Sequence, residues 1–278
     1  MTSRTKAIIM LCITAALWST SGYLLILVDW NPIATTGTRS AIALIPMLIM
    51  FGKPRKIRGF FPVMAAVCYA AMLFSFVTAN RLTTAANVIL LQYTAPIYVV
   101  LLSAWLLKEK ITKQDIITVI LMLAGMLLFF INDIDTRGLW GNVLGVFSGV
   151  ALAVMAVCLR KMKDSTYRGA DSIMWGNIIC VIIGMPFIAF VGLPSPISWL
   201  GLALLGLFQL GLAYCLYVKA VKHVTALELA LVPIIEPLLN PLLVAMFAFQ
   251  IPGVNAIIGG IIVVGAVTWN LVYKQRSS

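Results

Sequence analysis

The group in this 278-residue sequence whose chemistry most needs explaining is Glu236, a carboxylate in the middle of a long apolar run and followed at once by Pro237. An ionisable side chain at membrane depth is costly to hold, so its presence argues for a task. The proline strengthens the case, because it removes a backbone N–H and leaves a carbonyl one turn earlier without its partner. Glu228, Val232, Glu236 and Asn240 recur at every fourth position and so share one polar-leaning helix face. Glu236 is a candidate proton carrier or partner for a cation; the plainer reading is a hydrogen bond joining two helices. Glu228 sits near the end of its run, close to Lys219 and Lys222, where an interfacial ion pair is the plainer reading.

Arg39 lies about two turns inside the second apolar run. It could contact an anion or carboxylate in an outer vestibule, or it could snorkel outward or bond helix carbonyls. Aromatic residues at mid-depth are further candidate ligands: Trp18, Tyr69, Phe76, Tyr93, Trp175, Tyr214 and Tyr217. Interfacial belts account for many membrane aromatics, and Trp30, Trp140, Trp199 and Tyr273 fit that description. Rings around a carboxylate suit a cationic head group or an aromatic amino acid. Asn87, Gln92, Asn177, Gln209 and Asn240 could supply the hydrogen bonds that orient a polar ligand.

Catalysis finds few parts. His223 is the single histidine and falls in a short connection, there is no GxSG nucleophile motif, and no cluster has metal-ligand spacing. The five cysteines, Cys12, Cys68, Cys158, Cys180 and Cys215, all lie within apolar runs and form no CxxC pair, which argues for packing rather than disulfides or metal. The expectation is a protein that is not an enzyme and needs no cofactor or metal.

The elements that must position these residues follow from composition. Hydrophobic residues make up 62% and charged residues 10%, against roughly half and a quarter in soluble domains, so a bilayer rather than water is the expected solvent. Ten runs near the required length of about 20 residues can be marked: Lys6–Val28, Pro32–Phe51, Phe60–Ala79, Thr83–Leu107, Asp115–Ile131, Leu139–Leu159, Asp171–Val191, Ile197–Val218, Thr225–Phe249 and Gly253–Tyr273. The first, preceded by Arg4 and Lys6, is read as an uncleaved helix rather than a signal peptide. Of the 20 Lys and Arg residues, 17 fall on one side of this arrangement, while Arg81 and Arg137 fall on the other and Arg39 within a run. This bias places both termini in the cytoplasm. It also accounts for the net charge of +11 without a nucleic-acid partner.

The most informative pattern is an internal repeat. A shift of 141 residues carries Ala79, Thr84, Ala85, Leu90, Pro96, Leu101, Leu102 and Ala104 onto Ala220, Thr225, Ala226, Leu231, Pro237, Leu242, Leu243 and Ala245. Five helices per repeat is an odd number, so the second half, 136–278, must be inverted relative to the first, 1–135. Inverted repeats place a site near the midplane between them, with one repeat rocking against the other. Pro96 and Pro237, matched by the shift, join Glu236 and Arg39 as candidate coupling or gating positions. Gly141, Gly145 and Gly149 form a small-residue face for close helix packing.

The stretch from Tyr93 to Thr112, with Pro96 and Glu109, resembles the end of the fourth helix in EamA-type members of the drug/metabolite transporter superfamily. Ile234–Gln250, with its Glu236–Pro237 pair, resembles the ninth, and Arg39 matches a basic residue common in the second. Gln250 stands where the second repeat often carries an acid, and the first helix lacks the carboxylate of the four-helix multidrug members. The resemblance implies ten helices around a cavity lined mainly by helices one, three, four, six, eight and nine, with cargoes from amino acids to choline-like cations and drugs. The expectation is therefore an all-α polytopic membrane protein in the cytoplasmic membrane, a monomer or weak dimer. It would carry a small-molecule substrate, an amino acid or related compound moving outward, with protons as a candidate coupled ion. Uptake or exchange of a quaternary amine through an aromatic cage is the alternative, and an intramembrane enzyme a remote one. Substrate contacts are expected from Trp18, Tyr69, Asn87, Tyr93, Trp175, Gln209, Tyr214, Glu236 and Asn240.

Overall fold

The computed structural model describes residues 2–134, 138–164, 168–239 and 253–276. Among these, nine helices are long and apolar enough to cross a membrane. They are α1 (Ser3–Ile26), α2 (Pro32–Phe51), α3 (Phe60–Leu82), α4 (Ala85–Leu107), α5 (Lys113–Phe130), α6 (Leu139–Lys161), α7 (Gly169–Val191), α8 (Pro196–Ala220) and, after a gap in numbering, α10 (Val254–Arg276). The expected run Thr225–Phe249 is helical over 226–239, here α9; its remainder, with Asn240 and Gln250, lies outside the described residues. The fold is an all-α polytopic membrane bundle.

Local chemistry sets the helix ends. Asn31 caps α2 by accepting hydrogen bonds from the Ile33 and Ala34 amides at 2.9 and 3.2 Å, with Pro32 preset in the first turn. Reciprocal capping boxes, Thr112 with Asp115 and Thr225 with Glu228, start α5 and α9. Gly52 and Gly192 stop α2 and α7 at a positive φ of 73°.

Irregularities interrupt several of these apolar runs, among them a π-helical turn at Ser103–Leu107 that ends α4. In α1 the helix breaks at Thr20, where the Ser19 and Thr20 hydroxyls donate back to the Ala16 and Leu17 carbonyls. In α4 it breaks at Tyr93–Thr94, just before Pro96. In α8, Leu205–Leu212 winds as a π-helix, and in α9, Val232–Ile234 tightens into a 3₁₀ turn at Pro233.

Two separate cores hold the bundle. One gathers buried residues of α1, α2, α3, α6, α7 and α8, including Leu11, Met47, Tyr69, Ile173 and Tyr217, and takes in Leu229 and Val232 from one face of α9. The other gathers α4, α5, α9 and α10, with a face of α6, including Tyr93, Met126, Leu231 and Val263. Around both, large apolar side chains point outward, among them Ile49 at 82% and Phe190 at 85% exposure. Lipid solvates such a surface, and water does not.

The small-residue face of α6 meets α3 and α4. A Cβ on Gly141 would press on Thr83, and one on Gly149 would lie 2.7 Å from the Gln92 carbonyl oxygen. Gly149→Ala should therefore overpack this contact and lower stability by about 1–3 kcal/mol, read as a drop in the detergent melting temperature. Gly265 on α10 has open space around it, with nothing within 4 Å of where a Cβ would stand. Gly265→Ala should therefore cost no stability; equal effects at both sites would count against the close α4–α6 approach.

Candidate functional site

The helix breaks converge on one point. Pro237 has no N–H to offer the carbonyl four residues back, which is that of Pro233. The Tyr93 hydroxyl, 3.1 Å away, takes up that carbonyl oxygen as acceptor. The same hydroxyl lies 2.5 Å from Glu236 Oε2. Tyr93 and Glu236 thus join α4 to α9, two helices each interrupted just before a proline. In α4 the equivalent break frees the Gln92 carbonyl, and the Gln92 side chain donates to Ser148 Oγ of α6 at 2.7 Å.

Beside this pair lies a narrow cavity with a volume of about 50 Å³. That admits a few waters and is well below the roughly 300–1,000 Å³ of an occupied ligand pocket, so the site is contracted. Its polar wall comprises Ser21, Arg39, Gln92, Tyr93, Gln209 and Glu236, and its apolar wall includes Trp18, Met72, Phe76, Leu152 and Tyr214. Six of the contributing helices are α1, α3, α4, α6, α8 and α9, as the resemblance implied; α2 joins them through Arg39. The cavity also lies where the two cores meet: Trp18 and Tyr214 belong to one, Tyr93 to the other.

Of the residues singled out in the sequence, Trp18, Arg39, Phe76, Gln92, Tyr93, Gln209, Tyr214 and Glu236 come together here. Arg39 does not snorkel and bonds no helix carbonyl among the described residues; it is 1% exposed and lines the cavity. Tyr69 stands one layer back, edge-on to Tyr214 at 4.8 Å, its hydroxyl donating to Asn177 Oδ1 at 3.2 Å. Trp175 and Asn87 are elsewhere. The Trp175 indole donates to the Arg55 carbonyl at 2.8 Å, tying the start of α7 to the α2–α3 connection. Asn87 sits at the start of α4 and donates to Thr83 Oγ1 and Asn142 Oδ1, both at 3.1 Å, which makes it a helix-end clamp. Pro96 and Pro237 act on the site through the backbone. Ser21 and Met72 were missed; the Ser19–Gly22 run that breaks α1 was the available signal for Ser21.

At the end of the bundle that carries both termini, charges close over the helices. Arg4 Nη2 donates to Glu228 Oε1 at 2.5 Å, so Glu228 pairs with Arg4 and not with Lys219 or Lys222. Arg160 Nε donates to Glu109 Oε1 at 3.1 Å, and Glu109 Oε2 accepts from the Ala226 amide that opens α9 at 3.3 Å. Lys274 and Asn270 flank Asp115 at 2.8 and 2.9 Å.

Because the one Tyr93 hydroxyl proton is shared between the Pro233 carbonyl and Glu236, Tyr93→Phe should leave both acceptors without that donor. The expected loss is about 1–3 kcal/mol, measured by thermal unfolding. Combined with Glu236→Gln, the losses should fall short of their sum; strict additivity would show that the two groups are not coupled.

The profile of the EamA-like transporter family matches this chain twice, over residues 5–131 and 139–272. A protein of Clostridium kluyveri described as an uncharacterized transporter is 26% identical over 250 residues, covering 82% of this chain and 78% of its own. Another from Archaeoglobus fulgidus, described in the same words, is 25% identical over 196 residues and 69% of each chain. A third, from Helicobacter pylori, is 28% identical over 130 residues, a match that spans 41% of that protein. A solved crystal structure superposes with a TM-score of 0.78, covering 94% of this chain and 96% of that one at 20% identity, so the two share a fold. With a membrane-spanning bundle of this shape and a family profile that accounts for nearly its whole length, the chain belongs to the EamA-like transporter family.

Proposed function

We propose that this protein is a secondary-active transporter that exports a small polar metabolite, an amino acid or a related compound, by alternating access around the cavity beside Glu236. The observation that carries the reading is the location of that cavity: it holds a cation, a carboxylate and amides, and it lies on the seam between two separately packed cores. A site on such a seam can be uncovered from either side when the cores tilt.

The halves 1–135 and 136–278 are taken as inverted repeats, supported by the two family matches and by the paired breaks at Pro96 and Pro237. The packing suggests a refinement of the rocking motion. The bodies that move are α1–α3 with α6–α8 against α4 and α5 with α9 and α10, so each repeat contributes to both. The Arg4–Glu228 and Arg160–Glu109 pairs then bridge the bodies at the end with the termini, and the Asn87–Asn142 hydrogen bond bridges them at the other. The bias of basic residues puts the end with both termini in the cytoplasm of a cell whose plasma membrane holds the protein. Glu236 is the candidate coupling group, its hydrogen bond to Tyr93 being the contact that a proton or a cationic cargo would alter.

A second reading, exchange of a quaternary amine, is favoured by the cluster of Trp18, Tyr214 and Tyr217 with ring centres 5.2 to 5.8 Å apart. Catalysis is the less economical reading of a chain in a transporter family. Counterflow in proteoliposomes decides: protein loaded with unlabelled amino acids should concentrate labelled amino acid transiently, which a channel does not do. Glu236→Gln should abolish the pH dependence of that exchange or reduce its rate at least tenfold. Exchange with an unchanged pH profile and rate would remove Glu236 from coupling.

A further inference from the structure

The guanidinium of Arg39 is the least satisfied charge among the described residues. It is 1% exposed, its Nε has no hydrogen-bond partner, and none of the ion pairs within 4 Å among those residues involves it. The polar groups that influence it, Tyr69, Tyr214 and Cys180, are phenols and a thiol, which do not neutralise a cation. A buried charge left in this state is strongly unfavourable. Arginine cannot escape by giving up its proton. A carboxylate, Glu236, lines the same cavity, yet the two do not pair. Glu236 is instead engaged through Oε2 by Tyr93. Gln209, also in the wall, has its Oε1 buried without a donor. Three residues that line the same small space thus bring together a buried guanidinium whose Nε has no partner, an amide whose Oε1 has no donor, and a carboxylate.

From this the geometry points to Arg39 as the anchor for a carboxylate on the cargo, with Gln209 Oε1 and Glu236 receiving the cargo's N–H groups. The arginine fork matches a carboxylate with two parallel hydrogen bonds. An α-amino zwitterion complements all three groups; a betaine, which has no N–H, answers Arg39 and meets Glu236 by charge alone, whereas a simple cation such as choline leaves Arg39 unanswered. This inference rests on the transport reading above and narrows its cargo to carboxylate-bearing molecules.

The test compares matched probes that differ in the carboxylate alone. Purified protein is melted with a pool of the twenty proteinogenic amino acids plus glycine betaine, with the corresponding amides plus choline, and with glycerol 3-phosphate. A ligand that binds the folded state raises the melting temperature. The carboxylate pool should stabilise the wild type and the amide–choline pool should not. The active probe, found by splitting the pool, should bind Arg39→Gln at least tenfold more weakly, and Arg39→Lys, which keeps charge without the fork, should also bind more weakly. Without probe, Arg39→Gln should melt no lower than wild type, because it removes an unpaired buried charge; a large drop would assign the arginine to structure instead. Stabilisation by the amides, by choline or by glycerol 3-phosphate in place of the carboxylates would overturn the proposal, as would no response to any carboxylate. Counterflow separates the two claims: choline exchange keeps transport and removes the Arg39 anchor, while carboxylate binding without exchange keeps the anchor and removes transport.

Discussion

Inside a bilayer no water stands ready to satisfy a backbone carbonyl, so every carbonyl a helix releases must be met by the protein itself. Pro237 releases one at Pro233, and Tyr93 of a different helix meets it. Much of the centre of this molecule depends on that debt. The hydroxyl that answers the carbonyl also grips Glu236, which sets the carboxyl oxygen at the cavity wall. The Tyr93–Thr94 break in α4, in turn, turns the tyrosine toward α9 and releases the Gln92 carbonyl against Gly149, where only a residue without a Cβ leaves room. Two missing N–H groups, those of Pro237 and Pro96, thus bear on the spacing of three helices.

The remaining polar groups are distributed unequally. At the end with both termini, carboxylates have defined partners: Glu228 with Arg4, Glu109 with Arg160 and the start of α9, Asp115 with Lys274 and Asn270. Buried or half-buried pairs of this kind are costly to break one side at a time, so they hold that end together as a unit. Within the cavity, by contrast, the buried Arg39 guanidinium has no ion-pair partner among the described residues. The protein closes its charges where helices must stay together and leaves them open where a ligand could enter.

Much of this was legible in the sequence, for physical reasons. Glu236, Pro96 and Pro237 stand out because lipid makes a charge or a missing N–H expensive, so few such residues occur without cause. Trp18 and Tyr93 both line the cavity, and the signal for them was their distance from the ends of their apolar runs. Trp175 and Asn87 were misread because depth alone does not settle direction: the α2–α3 connection folds back to offer Trp175 a carbonyl, and Asn87 lies at a helix start where neighbouring side chains compete for its amide. Tyr69 has the right depth but faces Asn177 in the layer behind. Pairings such as Arg4 with Glu228, 224 positions apart, have no local signature at all.

The π-helical turn of α8 also defeats a reading by ordinary periodicity. Gln209 and Tyr214 are five residues apart, a spacing that would place them on different faces of an α-helix, yet both line the cavity. A turn wound with i→i+5 bonds takes in one residue more than its neighbours. That surplus is slack, like a crease in a carpet. If bonds exchange one position at a time, the crease can travel along α8 without the helix ever coming apart, and each step swings a different side chain toward the centre. A rod that must remain intact through the bilayer can in this way still swivel.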